Sequence, residues 1–159
     1  VGNRHKRSVS MYDAYPYRPR GPNGERYCRY CGQQVPKGRR TWCSDECVDE
    51  ASIRCNPSHA AYRVGQRDKG VCAICGVDTK ILKKRAIRER GEFLAEMMDR
   101  GFPDVWREWW EADHIIPVSE GGGHCGLENY RTLCVPCHKS ETAKLRKRLA
   151  KRNQDGTGA

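Results

Sequence analysis

The chain has 159 residues, room for one domain or for one small domain with a satellite module. With 37% hydrophobic residues, 31% charged ones and two Phe, it can bury only a thin core, and ten cysteines are the available staples. A net charge of +10 and a pI near 9.3 point to a polyanionic partner, nucleic acid before any other, and the absence of a long apolar run argues against a membrane span.

No stretch reads as a signal peptide, so the expected location is intracellular: a bacterial or phage cytoplasm, or a nucleus in a eukaryote. A removed leader stays open, because the chain begins at Val1. Cys-x-x-Cys spacing inside a cell reads as metal ligation rather than disulfide bonding. DNA is the expected partner, and no membrane or small-molecule substrate is expected.

Residues 1–26 read as a basic, flexible N-terminal arm. VGNRHKRSVS is polar and YPYRPRGPNG is broken by Pro and Gly, with six Lys or Arg against two acids. Residues 27–55 read as a zinc finger. The spacing Cys28-x2-Cys31-x11-Cys43-x3-Cys47 supplies four thiolates for a closed tetrahedral zinc site, which is structural because no coordination position stays open. Gly32 permits the tight turn of a zinc knuckle. Ser44 is a natural N-cap for a helix with Asp45 and Glu46 in its first turn, and that helix supplies the last ligand in a treble-clef-like arrangement.

Residues 56–152 form the main domain. Residues 56–70 predict a helix with Pro57 near its start, Gly70 at its end and Ala61, Tyr62 and Val64 toward the core. His59 reads as an ordinary helix residue, and Cys55 has no assigned partner. Cys72-x2-Cys75 is a second knuckle whose missing pair is Cys134-x2-Cys137, so a second structural zinc pins the base of a 58-residue loop, 76–133. Residues 79–110 predict a helical insert broken at Gly91 and at 101–103, with Trp106, Trp109 and Trp110 as core packing. Residues 111–118 predict a strand, 119–129 a glycine loop, 130–134 a second strand and 136–152 a helix, with residues 153–159 a frayed, disordered tail. The fold class is therefore small α+β, a strand–loop–strand–helix core stapled by a four-cysteine zinc site, plus the N-terminal finger.

Hydrolysing a phosphodiester needs a divalent metal with carboxylate and imidazole ligands and a base with a pKa near neutrality, usually His. Adjacent strand residues point to opposite faces. Asp113 can therefore turn toward the helix carrying His138 and hold a metal with it, while His114 faces the scissile phosphate as general base. Asn129, at the end of the glycine loop, can tie the loop backbone together and so orient His114. His124 and Cys125, also in that loop, read as residues without a duty.

These residues resemble the HNH, or ββα-metal, endonuclease family, which has an Asp-His or His-His pair on the first strand, an Asn in the loop and a His or Asn on the helix. Fourteen residues separate His114 from Asn129 and eight separate Asn129 from His138, similar to colicin-type nuclease domains. DHIIPVSEGGG and LENYRTLCVPCHK also resemble the HNH module of vertebrate annealing helicases, and the paired knuckles match a bacterial and phage subtype. The resemblance covers about residues 57–150, and the first cysteine cluster resembles the small zinc finger that often precedes such modules. It implies Asp113 and His138 as metal ligands, His114 as base, Asn129 as its positioner, and products with a 5′-phosphate and a 3′-hydroxyl. The chain departs at Thr142, where many members carry a further His; fewer imidazoles favour Mg²⁺ or Mn²⁺ over tightly held Zn²⁺. The basic residues Lys83, Lys84 and Arg85, with Lys139, Lys144, Arg146, Lys147 and Arg148, are the candidate DNA contacts. The alternative function is a non-catalytic zinc-finger module that binds nucleic acid.

Overall fold

A computed structural model describes residues 10–156. Residues 1–9 of the expected basic arm and 157–159 of the expected tail lie outside them. Two compact units emerge: the chain up to Arg63 together with Ile116–Asn129, and Val64–Ile115 together with the chain from Tyr130. This partition differs from the sequence-based one in grouping residues 116–129 with the N-terminal part.

In the first unit a short helix, α1 (Met11–Ala14), is capped by Ser10. The described part of the arm is therefore not unfolded. The reason is Arg29, which is 3% exposed. Its Nε donates to the Tyr15 carbonyl and its Nη2 to the Tyr12 carbonyl, 2.8 Å away, while its guanidinium lies over the Tyr12 and Tyr17 rings. A buried cation is tolerated when carbonyls and ring faces replace its water. The first knuckle follows: Tyr27 bridges to Gln34, the Cys28 amide donates to Gln33 O, and Gly32, at φ +79°, donates to Cys28 O. Helix α2 (Asp45–Cys55) starts on Ser44, whose hydroxyl accepts from the Cys47 amide. Helix α3 (Pro57–Asp68) starts on Asn56, whose side chain accepts from the Ser58 and His59 amides.

The boundary between the units falls within α3. Ala60 and Val64, four residues apart, are its buried face; Val64 is buried as expected, but Ala60 takes the core position expected of Ala61, which is half-buried, and Tyr62 is 60% exposed. His59 is more than an ordinary helix residue, because its Nε2 meets Asp49 Oδ1 at 2.7 Å.

In the second unit the second knuckle repeats the first: Val71 bridges to Asp78, the Cys72 amide donates to Val77 O, and Gly76, at φ +70°, donates to Cys72 O. Asp78 caps α4 (Thr79–Glu89) by accepting from Lys80 and Ile81. The chain then breaks at Arg90, φ +46°, and continues as α5 (Gly91–Asp99). The breaks expected at Gly91 and at 101–103 are thus present, but residues 100–109 are not helical, so the helical insert expected over 79–110 ends at Asp99. Gly101 sits at φ +90° and Asp104 accepts from the Trp106 amide. Within that segment Trp109 is 1% exposed and donates from Nε1 to Asp104 O, whereas Trp106 is 90% exposed and packs in no core.

Strand β1 (Trp110–His114) pairs antiparallel with β2 (Tyr130–Cys134), Asp113 opposite Arg131 and His114 opposite Tyr130. The predicted first strand is thus shorter than 111–118. Helix α6 (Val135–Gln154), with Pro136 in its first turn, extends through the two residues expected to begin the frayed tail. Cys72, Ala86, Met97, Phe102, Trp109, Leu133 and Cys134 form the core of this unit. The result is the expected small α+β fold, a hairpin followed by a long helix, with two four-cysteine clusters. Among the described residues no helix is long and apolar enough to cross a membrane.

Candidate metal and catalytic site

The two clusters bring together the cysteines that the spacing paired. The thiols of Cys28, Cys31, Cys43 and Cys47 lie within 4.8 Å of one another, as do those of Cys72, Cys75, Cys134 and Cys137. Sulfurs about 2.3 Å from a tetrahedral zinc would be about 3.8 Å apart. Observed separations of 3.4 Å (Cys31–Cys43, Cys43–Cys47) and 3.7 Å (Cys75–Cys134) fit that ion. Burial works against the Cys28 thiolate, but the amides of Cys31, Cys43 and Tyr30 outweigh it and hold its pKa down at about 6. Cys72 is likewise held at about 6 by the amides of Cys75, Cys134 and Ile74. Burial and neighbouring thiols push Cys47 up to about 12 and Cys137 up to about 11. Each cluster therefore has one thiolate ready and others that need a dication to surrender their protons. Cys55 is buried and Cys125 half-buried, and neither belongs to a cluster.

Three predicted site residues lie on the hairpin and helix, and two of them meet. The Asp113 and His138 side chains face each other across β1 and α6, with Asp113 Oδ1 3.8 Å from His138 Nε2. Two donors each about 2.0–2.2 Å from one ion can be up to about 4.3 Å apart, so this pair fits a shared divalent metal. Arg131, opposite Asp113, occupies the other oxygen: its Nε and Nη2 both reach Oδ2 at 3.0 Å, and Nη2 reaches Glu141 Oε2 at 3.2 Å. The spare nitrogen of His138 is also engaged, with Nδ1 2.9 Å from Glu111 Oε2. Sequence reasoning overlooked Glu111 and Arg131. Strand alternation could have found Glu111, since residues 111 and 113 share a face.

His114 leaves the opposite face of β1 and packs on its cross-strand neighbour Tyr130, ring centroids 4.4 Å apart. Its Nε2 is buried with no hydrogen-bond partner among the described residues. Burial lowers its pKa, and the nearby Asp113 only partly offsets this, so the ring is held neutral.

Asn129 belongs to the other unit, with the loop 116–129. Its Oδ1 accepts from the Ile116 amide at 2.8 Å, and its Nδ2 donates to Ile116 O at 3.1 Å and Gly122 O at 3.0 Å. The Ile116 carbonyl passes so close to Gly122 that any Cβ there would collide with it. The loop's His124 is not idle, because its Nε2 lies 3.3 Å from Tyr15 Oη.

Of the predicted DNA contacts, Lys84, Arg146, Lys147 and Arg148 are exposed. Lys83 pairs with Glu108, Arg85 with Glu89 while lying over the Phe93 ring, Lys144 with Glu141, and Lys139 donates to Gly101 O. Those four are partly committed to the protein itself.

A protein-family model described as HNH endonuclease matches residues 101–144. The DNA annealing helicase and endonuclease ZRANB3 of Mus musculus is 35% identical over 120 residues, covering 67% of this chain and 11% of that protein. The Homo sapiens protein of the same name is 34% identical over 120 residues, with the same coverage. The chain thus matches about a ninth of the length of these relatives. The crystal structure of the human ZRANB3 HNH domain superposes with a TM-score of 0.50 at 30% identity, covering 62% of this chain and 97% of that one.

Proposed function

The chain belongs to the HNH endonuclease family, and from that premise we propose that it is a metal-dependent DNA endonuclease. The observation that carries this reading is the facing pair Asp113 Oδ1 and His138 Nε2, with the other His138 nitrogen fixed on Glu111. Asp113 and His138 would hold a divalent ion, Mg²⁺ or Mn²⁺ given one carboxylate and one imidazole, which when bound polarises the phosphate and stabilises the leaving oxygen. His114, which burial holds neutral, is the group that accepts the proton of the attacking water in this reading. The water oxygen bonds to phosphorus as the bond to the 3′ oxygen breaks, and that oxygen takes a proton from solvent water, leaving a 5′-phosphate and a 3′-hydroxyl. Asn129 is a positioning residue: it fixes the backbone of Ile116, two residues after His114 in the chain. Two structural zinc ions in the cysteine clusters would staple the fold.

Supercoiled plasmid with Mg²⁺ or Mn²⁺ tests this. Wild type is expected to nick or linearise it, and His114→Ala to be at least about 100-fold slower while keeping its circular dichroism and DNA binding. A variant that cuts like wild type removes His114 as base. A wild type that binds but never cuts makes the protein a zinc-finger binding module instead.

A further inference from the structure

We propose that the N-terminal finger carries its own binding site for a single nucleic-acid strand, in a cleft remote in sequence from the hairpin and helix. The cleft has a volume of about 540 Å³ and is lined by Tyr17, Arg18, Arg20, Arg26, Tyr27 and Arg40. Over residues 14–44 seven Lys or Arg stand against one acid, Glu25. That acid is turned into its own turn, where it accepts from the Asn23 amide at 3.0 Å and from Asn23 Nδ2 at 3.1 Å. Arg20, Arg26 and Arg40 are exposed and have no ion-pair partner among the described residues. Arg18 donates from Nε to Cys28 O at 2.9 Å, which seats its guanidinium over the knuckle. Four like charges gathered in one concavity repel each other unless an anion fills it.

The aromatic residues decide which anion. Tyr17 is 70% exposed, yet one face of its ring rests on Arg29, 4.3 Å from the centroid. Arg29 is itself tied to the carbonyls of Tyr12 and Tyr15, so the Tyr17 ring stands with its outer face open and its orientation set. A fixed ring beside unpaired guanidiniums is how a strand is held: bases stack on the ring and phosphates meet the cations. The volume suits one or two nucleotides, within the about 300–1,000 Å³ of small-ligand pockets. A duplex, whose major groove alone is about 12 Å wide, does not fit inside it.

The test uses the full chain with no added Mg²⁺ or Mn²⁺ and reads fluorescence anisotropy of labelled dT12 and of a 20-base-pair duplex. The triple variant Arg20→Ala/Arg26→Ala/Arg40→Ala, with unchanged zinc content and circular dichroism, is expected to bind dT12 about tenfold or more weakly. Its plot of log affinity against log salt should be shallower by about 2, from about 0.7 per phosphate contact. Tyr17→Ala is expected to weaken dT12 about fivefold or more and the duplex much less. Photocrosslinking of bromouridine-substituted oligonucleotide to wild type should label the peptide containing Tyr17. Unchanged dT12 affinity in the triple variant overturns the proposal. So does equal loss on both DNAs with Tyr17→Ala silent, which would mark a general phosphate patch. Plasmid cleavage is measured separately: a chain that binds dT12 here but cuts nothing loses the nuclease reading and keeps this one.

Discussion

Glu111 leaves the same face of β1 as Asp113, and its carboxylate takes the Nδ1 side of His138. A carboxylate there keeps the proton on Nδ1 and leaves the Nε2 lone pair toward Asp113, the arrangement that suits a metal-binding imidazole. Glu111→Ala is therefore expected to weaken Mn²⁺ binding about 10- to 100-fold by calorimetry. Glu111→Gln, whose amide oxygen can still accept from Nδ1–H, should lose less. Nitrogen NMR should report a mixed His138 tautomer in the Ala variant only. Wild-type Mn²⁺ affinity in Glu111→Ala would leave this residue a bystander. At this scale the sequence was most informative where residue type and spacing are both restrictive. The eight cysteines, and the pairing of Asp113 with His138, could be read from the chain because few other tasks use those residues at those intervals. Arg131 and the partner of His124 could not, since each depends on which strand or segment lies opposite, and that is settled by register and tertiary packing.

Asp68 ends α3, where a negative charge opposes the helix dipole. Its compensation is a set of bonds: Oδ1 accepts from Arg67 Nε at 2.6 Å and Oδ2 from the Thr132 amide of β2 at 3.1 Å. Arg67 in turn donates to Tyr130 O at 2.6 Å, so the helix end holds the β2 backbone at two points. The Arg67 guanidinium, with the Thr132 bonds, lowers the Asp68 pKa against the effect of burial. A carboxyl whose folded pKa is depressed adds stability that is present above its unfolded pKa, about 3.9, and lost as pH falls through the folded one. Asp68→Asn should therefore cost about 1–2 kcal/mol near pH 7 in chemical denaturation. The gap to wild type should close below about pH 4. A gap that stays constant down to pH 2 would mean that the charge contributes nothing. Elements with strong local signals, such as the Ser44 cap, the two knuckles and the Pro136 helix start, formed where the sequence placed them. The overextended first strand has a local cause that sequence pattern does not show: the Asn129 side chain takes both the amide and the carbonyl of Ile116, which the ladder would otherwise need. The described part of the arm takes its order from contacts distant in sequence, Arg29 on the Tyr12 carbonyl and Tyr15 against Tyr30 and Trp42, which no local pattern shows.

For the whole molecule, the two four-cysteine clusters belong to different units, the first to the N-terminal part and the second to the base of α6, and the proposed zinc ions would staple each unit separately. The second closes the 58-residue segment 76–133, and Cys72 and Cys134 also sit in the core with Trp109 and Leu133. Structural zinc binding of about 10–16 kcal/mol rivals the whole stability of a domain, about 5–15 kcal/mol, so each unit should unfold when its own ion leaves. The purified chain is expected to hold two zinc ions by colorimetric assay. Cys43→Ser should hold one, with hydrogen exchange accelerated across residues 27–55 and slow amides retained in β2 and α6. Cys134→Ser should also hold one, with the reverse pattern and no metal-dependent cleavage, because His138 follows Cys137 directly. A Cys43→Ser variant that keeps two ions would disprove the first cluster as a zinc site. Loss of protection everywhere in either variant would mean that the two units share one cooperative transition rather than two.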